Sequence, residues 1–169
     1  MNRPYTRPLQ SGTKTVDQIG KLNFREGSIP SEWYSHILLP NGEPDTIAIT
    51  FLSGIVDWYI PINVFDNDGT IKWSYRKFLL KKLVYDYRYW SEKLGYSISQ
   101  VASARERLEQ AGLIAFEYQD ITLCKRECGV IEFFEPVPEK LKEITPDLPP
   151  YTREARALIF KEYCRVGHW

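Results

Sequence analysis

Ser97-Ile98-Ser99-Gln100 is a capping box, and few four-residue patterns constrain a backbone as tightly. The serine hydroxyl accepts from the amide at Gln100, and the glutamine side chain reaches back to the serine amide. A helix therefore opens at Ser97. Gly112 closes it, and Gly95 closes an apolar helix that arrives at Leu94-Gly95-Tyr96, because glycine takes the left-handed turn that ends a helix at little steric cost. Between the caps Val101, Ala104, Leu108 and Ala111 recur at helical spacing and mark one inward stripe. Opposite them stand Ser99, Ala102, Ser103 and Glu106, small or polar and free to face something else. Two β-prone runs follow, Leu113 to Tyr118 and Val130 to Phe134, around a polar loop.

Two helices joined by a glycine-containing turn and followed by a hairpin give the order of a winged helix-turn-helix. The residues that carry the resemblance are Tyr89-Trp90-Ser91-Glu92-Lys93-Leu94-Gly95-Tyr96-Ser97, then Val101, then Arg107-Leu108-Glu109-Gln110-Ala111-Gly112-Leu113-Ile114. In them the chain resembles the winged-helix domains of bacteriophage and plasmid replication-initiation proteins of the replisome-organiser kind. The resemblance covers Asp45 to Phe134 and continues weakly to Leu141. It implies a mainly α chain with a small β hairpin (α+β) that binds double-stranded DNA, in replication initiation or transcription control.

The 169 residues suggest one domain with appendages, and 43% hydrophobic with 14% aromatic residues is enough for a sizeable core. The expected division is a flexible basic arm over 1–20, a winged-helix domain over 21–145, and a linker with a last helix over 146–169. No apolar run reaches the ~20 residues of a membrane span. With no signal-peptide core at the N-terminus and three cysteines, the expectation is a cytoplasmic, nucleoid-associated protein. Lysine plus arginine and aspartate plus glutamate both number 22, which argues against a wholly basic DNA-coating protein but allows a local basic patch.

Along the chain, Met1 to Thr15 carries Arg3, Arg7 and Lys14 without apolar periodicity, so it reads either as an arm for phosphates or as an untethered end. Ile29 to Leu39 reads as a helix with Trp33, Tyr34, Ile37 and Leu38 on one face, broken by Pro40-Asn41-Gly42-Glu43-Pro44. Asp45 to Tyr59 is the most apolar helix, suited to a core or to a dimer seam. Pro61 to Gly69 reads as a loop turning at Asn67-Asp68-Gly69. Its Asp66 and Asp68 are not a calcium loop, because Lys77 stands where the closing glutamate belongs. Pro136 to Ile144 resumes a short amphipathic helix. Past Thr145-Pro146-Asp147-Leu148-Pro149-Pro150, Thr152 caps a final helix from Arg153 to Arg165.

The DNA-binding residues expected from this reading fall in three groups. On the recognition helix they are Ser97, Ser99, Gln100, Ser103 and Arg107; glutamine pairs with adenine and serine is less selective. Glu106 either accepts from cytosine or repels phosphate. Between Ile71 and Lys93, seven basic residues face only Asp86 and Glu92, a local excess of five; of these Lys77, Lys81, Lys82 and Arg88 are the expected phosphate ligands, with solvated lysines as the bland reading. At the hairpin tip Lys125 and Arg126 are placed for phosphate or the minor groove.

Cys124, Cys128, Cys164 and His168 are permitted structural zinc ligands, but the x3 spacings are not those of zinc knuckles, so free thiols are the preferred reading and no metal or other cofactor is expected. No phosphate loop, nucleophile elbow or His-Glu-x-x-His motif occurs, and His36 sits among apolar neighbours, so an enzyme is not expected. The alternative function is a protein-interaction module that uses the winged helix and the C-terminal helix to dock a replisome or nucleoprotein partner. A homodimer is expected if DNA is read at paired half-sites.

Overall fold

The structure is a computed structural model that describes residues 11–123 and 126–148, the side chains of 121–130 excepted. It is an α+β chain whose described part holds six helices and two small antiparallel sheets. Everything is laid around α3 (Thr46–Tyr59). Ala48, Ile49, Phe51, Leu52, Ile55, Val56 and Tyr59 are all buried, so the rows that also suited a dimer seam are covered within the chain. Asp45 caps α3, its carboxylate accepting from the Ala48 amide at 3.1 Å.

After α3 come two strands, β1 (Ile62–Phe65) and β2 (Ile71–Tyr75). β3 (Leu83–Val84) then leads into α4 (Tyr87–Leu94), α5 (Ile98–Gln110) and the long ribbon of β4 (Ile114–Leu123) and β5 (Arg126–Pro136). β3 adds to the far side of the ribbon, so the sheet order is β3-β5-β4, with Leu83 opposite Phe134 and Phe116 opposite Phe134 on the other side. Tyr59 fastens this sheet to α3. Its buried hydroxyl donates to the Phe134 carbonyl at 2.6 Å and accepts from the Leu83 amide at 3.1 Å. Burial holds that phenol well above the ordinary tyrosine range, so it stays a donor.

The local chemistry read from the caps is present. Gly95 lies at φ 74° and Gly112 at φ 72°, both left-handed. Both halves of the Ser97–Gln100 capping box form, at 3.1 and 3.0 Å. Val101, Ala104 and Leu108 are buried, but Ala111 is exposed because the helix has already ended there.

Four expectations need correction. The arm expected over 1–20 contains α1 (Lys14–Lys21), whose Val16 and Ile19, one turn apart, are buried in the common core. The helix expected over 29–39 shrinks to α2 (Trp33–His36); beyond it the chain turns extended, and Leu39 and Glu43 close a turn with a 2.8 Å hydrogen bond. Trp33 and Ile37 are buried while Tyr34 and Leu38 are exposed.

The loop expected over 61–69 is instead the first half of a hairpin, β1 (Ile62–Phe65) with β2 (Ile71–Tyr75). Asp66 shapes its turn by accepting from the amides of Asp68 and Thr70, each at 2.9 Å. The ribbon strands are also longer than the runs 113–118 and 130–134, so that 119–123 and 126–129, expected as polar loop, are strand.

The short helix after the ribbon forms as expected: α6 (Pro138–Ile144) starts on its proline and buries Leu141. The helix expected from Arg153 to Arg165 lies outside the described residues. Among the described residues, no helix is long and apolar enough to cross a membrane.

Candidate nucleic-acid interface

Three sides of α5 are accounted for by the fold. Val101, Ala104 and Leu108 face the core. Toward α3, Arg107 meets the buried carboxylate of Asp45 with Nε at 2.5 Å and Nη2 at 3.1 Å. Toward β5, Arg105 pairs with Glu132, and its guanidinium lies 3.9 Å from the ring centre of Phe116 and 4.9 Å from that of Tyr85. The outward side keeps Ile98, Ser99, Ser103, Glu106 and Glu109 exposed, with Ala102 half-buried beside them.

The N-terminal half of α5 borders an open cleft of about 530 Å³, lined by Tyr85, Tyr87, Ile98, Ala102, Arg105, Ile131 and Glu132. Tyr87 opens α4, so the first turns of both helices and the middle of β5 meet at this cleft. Asp86 caps α4 by accepting from the amides of Arg88 and Tyr89, at 3.0 and 3.1 Å.

The residues expected to touch DNA divide sharply. Ser99 and Ser103 are exposed on the outward side of α5. Ser97 and Gln100 are also exposed, but their side chains close the capping box. Arg107 is withdrawn onto Asp45. Lys77 pairs with Glu26 and donates to the Asp57 carbonyl at 2.7 Å, which turns its charge inward. Lys82 is shared between Glu117 and Glu135, the latter at 3.1 Å. Lys81 and Arg88 are exposed and have no carboxylate partner among the described residues. Lys125, and the side chain of Arg126, lie outside the described residues, as do Cys124, the thiol of Cys128, Cys164 and His168. Among the described residues no cluster of metal-binding side chains forms.

The remaining cations of the basic run have local roles. Arg76 donates to the carbonyls of Phe78 and Leu79, at 3.2 and 3.1 Å. Lys93 lies over the rings of Trp58, Tyr89 and Trp90, 5.4 to 5.8 Å from their centres. Lys72 lies 5.7 Å from the Trp73 ring centre. The excess of five counted along the sequence is therefore not a patch of five free charges. With both its arginines matched, α5 also presents only Glu106 and Glu109 as outward charges, both in its second half.

Sequence reasoning missed one exposed feature. Ile62 and Val64 of β1 stand opposite Tyr75 and Trp73 of β2, on one face of the hairpin, each 40% to 52% exposed. The alternation of Ile62 with Val64, and of Trp73 with Tyr75, was the available signal, masked by reading Asn67-Asp68-Gly69 as the centre of a loop.

The Lys82–Glu117 contact carries a pH signature. The hydrogen bond from Lys82 lowers the Glu117 pKa, and the same bond raises that of Lys82. A lowered carboxyl stabilises the fold above its ordinary value of 4.5, and this is lost as pH falls through the lowered value. A raised ammonium stabilises below its ordinary value of 10.5, and this is lost as pH rises through the raised one. The Tm difference between the wild type and Lys82→Met should thus be flat between 4.5 and 10.5 and shrink outside. Thermal scans across pH check it; a difference that grows in acid would show that the pairing is not what Lys82 contributes.

Compared with known proteins, the chain matches no family model, no curated protein and no solved structure.

Proposed function

We propose that this chain is a winged helix-turn-helix protein that binds double-stranded DNA, acting in replication initiation or transcription control of a bacterium, phage or plasmid. The observation that carries the reading is the outward N-terminal half of α5. Ile98, Ser99 and Ser103 are exposed, and the helix is held rigid from behind by its buried stripe and its cap. The order helix, short strand, helix, turn, helix, ribbon, with the β1–β2 hairpin inserted between the first helix and the short strand and with the short strand on the outer side of the ribbon's second strand, is consistent with it. In this reading the first half of α5 enters the major groove, Arg88 and Lys81 hold phosphates, and the ribbon lies along the neighbouring backbone.

The test is a gel shift on mixed-sequence duplex at several salt concentrations. With the two phosphates held by Lys81 and Arg88 neutralised, affinity should fall about twelvefold between about 50 and about 200 mM salt. The double reversal Lys81→Glu/Arg88→Glu should weaken binding by about tenfold or more at low salt, whereas Lys77→Gln should leave it unchanged. No shift at micromolar protein and low salt would end the DNA reading.

A second reading is favoured by one observation, the exposed apolar face of the β1–β2 hairpin with Leu79, 87% exposed, close by in sequence. In that reading the chain docks a replisome or nucleoprotein partner through this surface. Absence of duplex binding, together with partner capture that Trp73→Ser abolishes, would establish it in place of the first.

A further inference from the structure

We infer that the α5 surface distinguishes bases by the thymine methyl group, so that its preferred duplex is rich in thymine and its contact is apolar rather than bidentate. The inference rests on the DNA-binding reading above and concerns what that same surface recognises.

The argument begins with what the surface lacks. Bidentate reading of guanine needs arginine or lysine, and bidentate reading of adenine needs asparagine or glutamine. The helix contains four such side chains; the fold uses three of them, and the fourth, Gln110, is the last residue of the helix, at the end away from the cleft. Arg105 is taken by Glu132 and two aromatic rings, Arg107 by Asp45, and Gln100 by the amide of Ser97. Freeing Arg107 would strand a carboxylate that is only 2% exposed, so this arginine does not exchange its partner for a base.

What the surface offers is methyl and hydroxyl groups. Ile98 and Ala102 are one turn apart and line the cleft together, beside Ser99 and Ser103, also one turn apart. Ile98 is 47% exposed at the first position of the helix. In the major groove the only apolar group on a base edge is the C5 methyl of thymine, and small apolar side chains are its natural contact. The serine hydroxyls add donors or acceptors that suit several bases and so select little. Glu106 lies one turn further on and can accept from a cytosine amine, but it has no part in the strip formed by Ile98 and Ala102.

Each methyl removed from water at this contact is expected to strengthen binding about fourfold, and two such methyls by more than about tenfold. The experiment measures fluorescence anisotropy of the full chain with a mixed-sequence A·T duplex and with the same duplex carrying deoxyuridine for every thymidine. That exchange deletes the methyl and keeps every hydrogen-bonding group. A G·C duplex with cytosine or 5-methylcytosine gives the converse pair. Expected are weaker binding to the uracil duplex by about fourfold or more, and tighter binding to the methylated G·C duplex than to its plain form. Ile98→Ser, with its fold checked by circular dichroism, should bring the thymine and uracil duplexes to equal affinity. Salt-dependent binding with equal affinity for thymine and uracil overturns this inference and leaves DNA binding standing. Binding to none of the four duplexes overturns both.

Discussion

Trp90→Ala should lower the unfolding free energy by about 3–5 kcal/mol, the range for removing a large buried aromatic. Trp90 is 1% exposed and is the residue through which α4 is seated. Its ring lies 5.0 Å from Phe51 and 6.0 Å from Phe134, edge-on to both, and so joins α3, α4 and β5. Below it α3 has Gly54, where an added Cβ would stand 2.7 Å from the Trp90 ring carbon Cζ3. No real Cβ tolerates that approach to a ring fixed on its other sides. Gly54→Ala should therefore destabilise despite the better helix propensity of alanine. Trp90→Phe, which shortens the ring, should make the same glycine substitution better tolerated. Urea unfolding of the single and double variants checks this as a thermodynamic cycle. A loss under about 1.5 kcal/mol for Trp90→Ala would mean that α4 is not anchored here.

How far the sequence could be read depended on the range of each interaction. Caps act over three or four residues, so Ser97, Gln100, Gly95 and Gly112 were legible one at a time, and so was the buried stripe of α5. Charges act through space. Arg107 finds Asp45 62 residues earlier in the chain, Lys77 finds Glu26 51 residues earlier, and Lys82 finds Glu117 35 residues later. A run of lysines counted along the chain contains none of those partners, which is why a basic patch was expected where mainly internal pairs stand.

Packing against one particular ring is equally invisible. Gly54 is an unfavourable residue inside the most apolar helix, and only the place of Trp90, 36 residues on, gives a reason for it. The β1–β2 hairpin was lost for a different cause. Its turn signal was recognised, but the two short strands beside it carry one exposed and one half-buried face, a weaker pattern than a core strand gives.

Asp45→Ala should be the most damaging single change to a charged residue, at about 2–4 kcal/mol. Two losses combine. Ala48 at the start of α3 loses its capping acceptor, worth about 1 kcal/mol. Arg107 loses a bidentate partner; breaking a buried pair costs about 3–5 kcal/mol, reduced here because the Arg107 side chain is 33% exposed and water can reach it. Asp45→Asn separates the two losses, since asparagine caps a helix as well as aspartate does and yet carries no charge. It should destabilise less than alanine, by about the cap contribution. Arg107→Met leaves a carboxylate that is 2% exposed without its cation and should be destabilising in its own right. Joined to Asp45→Asn, it should recover part of that loss. The cycle also bears on function, because it decides to what Arg107 belongs. A coupling of about 1 kcal/mol or more between positions 45 and 107 ties the arginine to the joint between α3 and α5. In the proposed DNA-binding role, its contribution would then be the angle at which α5 is held. If Arg107→Met left stability untouched and removed duplex binding, the arginine would be a direct DNA contact, and the apolar reading of the α5 surface would fall with it.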